Sequence, residues 1–218
     1  MPIKIYPTLT STNKKNIKTF LEEITALNLK EICLFLTGLT KKERGDLFAK
    51  LTKTRLETIP FVHLKSDMEP QELKFLVEKY KTKVFNLHSA KEFPVEYDLA
   101  FYKNKIYIEN TYFKLDEEEI KGSAGLCVDF SHLEKMRLVS PDIYCHNMRL
   151  ARKYPIGCSH ISACKPPDHK ITDHYAENKT DFDYLKKYKK YLPNICAMEL
   201  ENSFKEQLVF RDYIYGII

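Results

Sequence analysis

Arginine is scarce in this chain. Of 35 basic side chains only six are arginine, at positions 44, 55, 137, 149, 152 and 211. Bidentate phosphate recognition favours arginine, so the net charge of +5 reads as a lysine-rich solvated surface rather than a nucleic-acid face. Glycine is scarce too, with six residues, and neither a G-x-G-x-x-G fingerprint nor a P-loop occurs, which disfavours a nucleotide fold, and no nucleotide cofactor is expected. No apolar run approaches the roughly 18 residues of a membrane span, and the first residues lack a signal-peptide core. A cytoplasmic protein without a membrane partner is expected. The six cysteines (33, 127, 145, 158, 164 and 196) include no C-x-x-C pair, which argues against a disulfide scaffold. Four of them (33, 127, 158 and 196) fall inside expected buried strands, where cysteine acts as a small hydrophobe.

What is present is an ordinary core-forming composition, 44% hydrophobic and 30% charged over 218 residues. Short apolar runs alternate with helical periodicity. Strands are expected at 3–6, 31–36, 59–63, 83–87, 105–108, 125–128, 156–159 and 194–198. Helices are expected at about 14–27, 41–54, from 70, 116–120, 141–154, 181–191 and 203–215. The stretch 92–102 reads poorly as a helix, and 97–102 has an extended pattern. A polar loop of about twenty residues follows the seventh strand, longer than compact domains usually tolerate without a use for it. Eight strands alternating with helices imply parallel pairing through crossovers, and eight such units close into a (β/α)8 TIM barrel, helix-poor between strands four and five. No linker interrupts residues 1–218, so a single barrel domain is expected.

The ends of the strands carry the chemistry. Ile106-Tyr107-Ile108 stops on Glu109, Leu126-Cys127-Val128 on Asp129, Ile156-Gly157-Cys158-Ser159 on His160, and Ile195-Cys196-Ala197-Met198 on Glu199. Upstream, Ile59-Pro60-Phe61-Val62 stops on His63 and Val84-Phe85-Asn86-Leu87 on His88. In a barrel these ends converge on one face. Three carboxylates crowded there stay ionised only with positive charge between them, and a divalent cation supplies it. Mixed nitrogen and oxygen donors suit zinc, manganese, iron or cobalt better than calcium. Taken singly, each reads better as structural, Glu109 or Asp129 as a cap on the following turn and His160 as a core histidine; taken together they read as a site. His63 and His88, on adjacent strands beside Glu109, suit a second metal or substrate hydroxyls. His146 reads as helix surface, and His169 and His174 have no strand-end placement. Lys65 and Lys165 are candidates for a phosphate or carboxylate on the substrate. Tyr184, Tyr188 and Tyr191 are expected to pack against the barrel.

Ile108-Glu109-Asn110-Thr111, Val128-Asp129-x-x-His132, Ser159-His160-Ile161-Ser162 and Met198-Glu199, in this order, resemble the xylose isomerase-like TIM barrels. That superfamily includes sugar isomerases and epimerases as well as apurinic-site endonucleases of the endonuclease IV type. The resemblance implies that Glu109, Asp129, His160 and Glu199 hold a divalent ion, zinc or manganese, and that Glu109 and Glu199 exchange a proton at carbon. It implies a small sugar or sugar phosphate as substrate. The endonuclease branch binds three zinc ions and a nucleic acid. There His63, His88 and Glu109 would hold one ion, with Glu109 bridging to the central one. A third would take His132, Asp173 and a histidine two positions on, where Tyr175 stands instead. A further reading is a metal-binding barrel with a non-catalytic role, its helix-poor side open to a partner. Oligomeric state and substrate identity are not encoded in any recognisable motif.

Overall fold

The computed structural model describes residues 2–165 and 174–218. Strands β1 (Lys4–Thr10), β2 (Cys33–Phe35), β3 (Phe61–His63), β4 (Val84–Leu87), β5 (Ile106–Glu109), β6 (Leu126–Asp129), β7 (Ile156–Ile161) and β8 (Ile195–Met198) pair in parallel in sequence order. β8 pairs back onto β1, from Lys4 opposite Ile195 to Pro7 opposite Met198, and the barrel is closed. Outside it lie α1 (Ile17–Ala26), α2 (Lys41–Leu51), α3 (Pro70–Tyr80), α4 (Glu117–Lys121), α5 (Phe130–Val139), α6 (Pro141–Lys153), α7 (Leu185–Tyr188) and α8 (Phe204–Ile217). The chain is a (β/α)8 barrel. Among the described residues no helix is long and apolar enough to cross a membrane.

Between β4 and β5 only a 3-10 turn, Ala100–Lys105, replaces the usual helix, so the helix-poor expectation holds although 97–102 is not extended. Other local differences have plain causes. α5 follows β6 without a loop because Asp129 serves as its N-cap, a helix that the periodicity of 130–139 did not announce. Pro141 opens α6; the Ser140 hydroxyl before it donates to Asp142 at 2.9 Å and accepts no backbone N–H of the helix. The helix expected over 181–191 is split into the 3-10 turn Lys179–Phe182, α7, and the 3-10 turn Lys189–Tyr191. Tyr184 and Tyr188 are buried in the shell around β6 to β8, as expected. Gly125, at φ 132°, leads into β6 where a side chain would lie 2.4 Å from the Pro155 carbonyl oxygen, so only glycine fits.

Two apolar shells join helices to the outer faces of the strands. One gathers Leu34, Val62 and Phe85 with Ile24, Leu47 and Leu73; the other gathers Val128, Ile161 and Met198 with Leu133, Leu150 and Ile214. A fully buried guanidinium pins α2 to α3. Arg44 donates to both carboxylate oxygens of Glu72 (2.7 and 3.0 Å), to Asp67 (2.8 Å) and to the Leu39 carbonyl (3.1 Å). Inside the barrel, Tyr6, Cys33, Phe61, Val84, Cys127, Cys158 and Ala197 form a third cluster, with Tyr107 packed on it. Each strand thus contributes one side chain to a plug.

Two surface carboxylates contribute to the stability of the fold toward acid. Lys14 and Thr40 lower the Glu43 carboxyl to about 2, and Lys153 and Tyr154 lower Glu117 to about 2, both from an ordinary 4.5. A depressed carboxylate contributes fully above its unfolded value and loses that contribution as pH falls through its folded one. The melting temperature should therefore fall between pH 4.5 and pH 2, and less steeply in Glu43→Gln and Glu117→Gln variants. Thermal melts followed by circular dichroism across that range check it.

Candidate metal centre

Strand side chains alternate between faces, so the residues two positions beyond the plug also point inward. They are Thr8, Phe35, His63, Asn86, Glu109, Asp129, His160 and Glu199, every one buried. The strand plan thereby collects three carboxylates and two imidazoles from five strands into one staggered layer. β7 extends to Ile161, so His160 lies within the strand rather than just past it, opposite Asp129 of β6.

Glu109 is the hub. Its Oε2 lies 2.9 Å from His63 Nε2, 3.4 Å from His160 Nε2 and 3.9 Å from His88 Nε2, and it accepts a hydrogen bond from the Asn86 amide. Burial pushes the Glu109 carboxyl up, but His160 and His63 together outweigh it and hold the group well below the usual carboxylate range. Beyond His160, whose Nδ1 is 3.1 Å from Glu199 Oε2, a second glutamate closes the row. Glu109 therefore belongs to two donor groups whose ligand atoms lie within 4.8 Å of one another, His63–Glu109–His160 and Glu109–Asp129–His132. Of the expected four ligands, Glu109 is thus grouped with Asp129 and with His160, and Glu199 adjoins His160, while among the described residues no single group holds all four.

Asp129 shows how cap and site coexist. Its Oδ1 accepts from the Ser131 N–H (2.7 Å), the Ser131 hydroxyl (2.6 Å) and the His132 N–H (3.1 Å), which starts α5. Its Oδ2 is buried without a hydrogen-bond partner and lies 3.7 Å from His132 Nδ1. The two readings open in the sequence, cap and ligand, use different oxygens of one carboxylate. Asn110, also buried, holds Asp129 through both backbone groups, and its own carbonyl accepts from His132 Nδ1 at 3.1 Å.

The donor set fits a divalent ion. His63 Nδ1 lies 2.9 Å from the Leu64 carbonyl, which only accepts, so that nitrogen carries a proton and Nε2 is the one that faces the centre. This Nε2 lies 2.9 Å from the Glu109 carboxylate and 3.3 Å from the Nε2 of His88. Both ring nitrogens of His160 and Oδ2 of Asp129 are buried without hydrogen bonds among the described residues. Buried polar atoms that converge in this way are costly unless a proton or a cation lies among them. His88, driven down to about 4 chiefly by burial despite the opposing pull of Glu109, is neutral near pH 7 and available as a donor.

Other candidates fall at different distances. Lys65 donates to the Leu39 carbonyl and pairs with Asp67, both at 3.2 Å, on the wall of a 210 Å³ cavity shared with His88 and Phe93. Lys165 is buried, 3.3 Å from Glu177 and 5.9 Å from the Tyr175 ring. Asp173 and His169 lie outside the described residues. His146 is not plain helix surface, because it is half-buried and its Nε2 donates to the Leu115 carbonyl at 2.9 Å.

Three residues enter that sequence reasoning passed over. His174 brings Nδ1 to 3.2 Å from Glu199 Oε1, from a loop where periodicity gives no signal. Asn110 stands in the sequence only as part of the Ile108–Thr111 motif, and the fold makes it a clamp on Asp129. Asn86 did carry a signal, an amide inside the apolar run Val84-Phe85-Asn86-Leu87 at the same parity as His88.

No protein-family model matches the chain, and no curated protein sequence matches it. Among solved structures it is similar to the crystal structure of a D-tagatose 3-epimerase-like protein, at a TM-score of 0.48 and 11% identity, over 97% of this chain and 98% of that one. The assignment of a (β/α)8 barrel rests on the strand pairing of this chain itself.

Proposed function

We propose that this barrel is a divalent-metal-dependent sugar or sugar-phosphate isomerase or epimerase of the xylose isomerase-like superfamily, one domain over residues 1–218. One observation carries the reading: Glu109 and Glu199 stand at the two ring nitrogens of His160, at 3.4 and 3.1 Å. Two buried carboxylates flanking one point suit a reaction in which one removes a proton and the other returns it. Glu109, Asp129, His160 and Glu199 would hold the ion, zinc or manganese. When bound, such an ion polarises a carbonyl and its neighbouring hydroxyl and so acidifies the C–H between them. The chain's own part is to set the two glutamates on either side of His160 and to bury them from water. His63 and His88 offer nitrogens to substrate hydroxyls.

Glu199→Gln should lower turnover by roughly 10²- to 10⁴-fold and weaken ion binding, while the fold persists. Exchange of substrate C–H for solvent deuterium, followed by NMR across sugars and sugar phosphates, reads the reaction. Full exchange in that variant would contradict the acid/base assignment.

A second reading, a zinc-dependent phosphodiesterase acting on abasic DNA, is favoured by a specific observation. Glu109 is shared by two donor groups, and His63, His88, His132 and His174 add more donors than one ion takes. Elemental analysis separates the two: one ion per chain supports the isomerase, two or three the hydrolase, with cleavage of an abasic duplex as the direct assay.

A further inference from the structure

Asn86 is fully buried on β4, between His63 of β3 and Glu109 of β5, and it belongs to the same inward-facing layer. A carboxylate has no hydrogen to give, so the group that Asn86 turns toward Glu109 Oε2 is its NH₂, which donates. His63 Nε2 lies 2.9 Å from this same oxygen and His160 Nε2 3.4 Å. The other end of the amide, Oδ1, is buried and has no hydrogen-bond partner among the described residues. A buried amide with one end satisfied is destabilising as a core residue, because its carbonyl has been taken from water for nothing in return. A leucine would fill that place at less cost. The residue makes physical sense only if its N–H does something for Glu109 that packing does not.

We propose that Asn86 is a positioning residue of the metal centre, holding Oε2 of Glu109 on the histidine side through a neutral donor so that the carboxylate meets the ion in one orientation. Neutrality matters. A lysine in this place would compete with the ion for the carboxylate, and an aspartate would repel it, whereas an amide restrains the oxygen and leaves its charge for the metal. The inference rests on the metal-centre reading, whichever reaction the centre serves.

The test is Zn²⁺ binding to metal-free protein, measured by competition calorimetry for the wild type, Asn86→Leu and Asn86→Ala. Leucine keeps the forked outline of the amide without its donor, and alanine relieves the crowding that leucine's bulkier methyl groups bring. Loss of an outer hydrogen bond to a ligand weakens binding by roughly 10- to 100-fold, and that loss is expected in both variants. A purely structural role would instead lower the metal-free melting temperature and leave the Zn²⁺ affinity unchanged. A folded variant that binds Zn²⁺ within about twofold of the wild type overturns the proposal. The wild type alone gives a second measurement. The Asn86 side-chain amide resonances should shift when Zn²⁺ is added, as their acceptor gives electron density to the ion, and resonances that stay in place overturn the proposal without any substitution. A wild type that takes up no Zn²⁺ overturns the metal-centre reading as well, whereas uptake undiminished in the variants removes Asn86 alone.

Discussion

Glu109→Gln should strip more ion from the chain than any other single substitution and lower turnover by roughly 10³-fold, with the barrel still folded. Glu109 is the one residue common to both donor groups, and its Oε2 lies within 4 Å of three imidazoles. The amide of glutamine keeps the shape but removes the negative charge, so His63, His88 and His160 lose the anion they surround. It also turns an acceptor into a possible donor beside Asn86, which already donates there. Elemental analysis of the purified variant, together with its circular dichroism spectrum, checks the expectation. An unchanged ion content in a folded Glu109→Gln protein would place the ion elsewhere.

The second large effect concerns stability alone. Arg44→Ala should destabilise the fold by roughly 3–5 kcal/mol, because it leaves the carboxylates of Asp67 and Glu72 facing a desolvated hole and the Leu39 carbonyl without its donor. At this chain length that corresponds to a drop in melting temperature on the order of 10 °C. Glu72 also completes the capping box of α3 by accepting from the Glu69 N–H, so loosening it frays the helix start. Urea unfolding of metal-free protein measures the change without interference from the centre. A loss below about 1 kcal/mol would show that water replaces the guanidinium at little cost.

Much of this architecture is legible in one dimension because both causes are local. A buried strand needs a short apolar run, a covering helix needs an apolar stripe, and each writes its period into the chain. His63, Glu109, Asp129, His160 and Glu199 stand out for the same reason: each is a ligand-type side chain ending a run that packing alone would have kept apolar. α5 was hidden because Asp129 is at once the last residue of β6 and the cap of the helix, so no turn residues separate the two elements. Arg44 was invisible as a buried residue, since nothing in Lys41-Lys42-Glu43-Arg44 distinguishes a solvated cation from one that Asp67 and Glu72 will enclose.

By itself, then, the amino-acid order determined the eight-fold alternation and which side chains would reach the carboxyl ends of the strands, since both follow from neighbours along the chain. Only the closed barrel decided that Glu109 would be shared by His63 and His160, that Asn86 would hold its oxygen, and that His174 would turn to Glu199. Those partners lie 23 to 51 positions from Glu109, and 25 from Glu199 in the last case. Their distances are set by strand stagger and loop path, which no local pattern records.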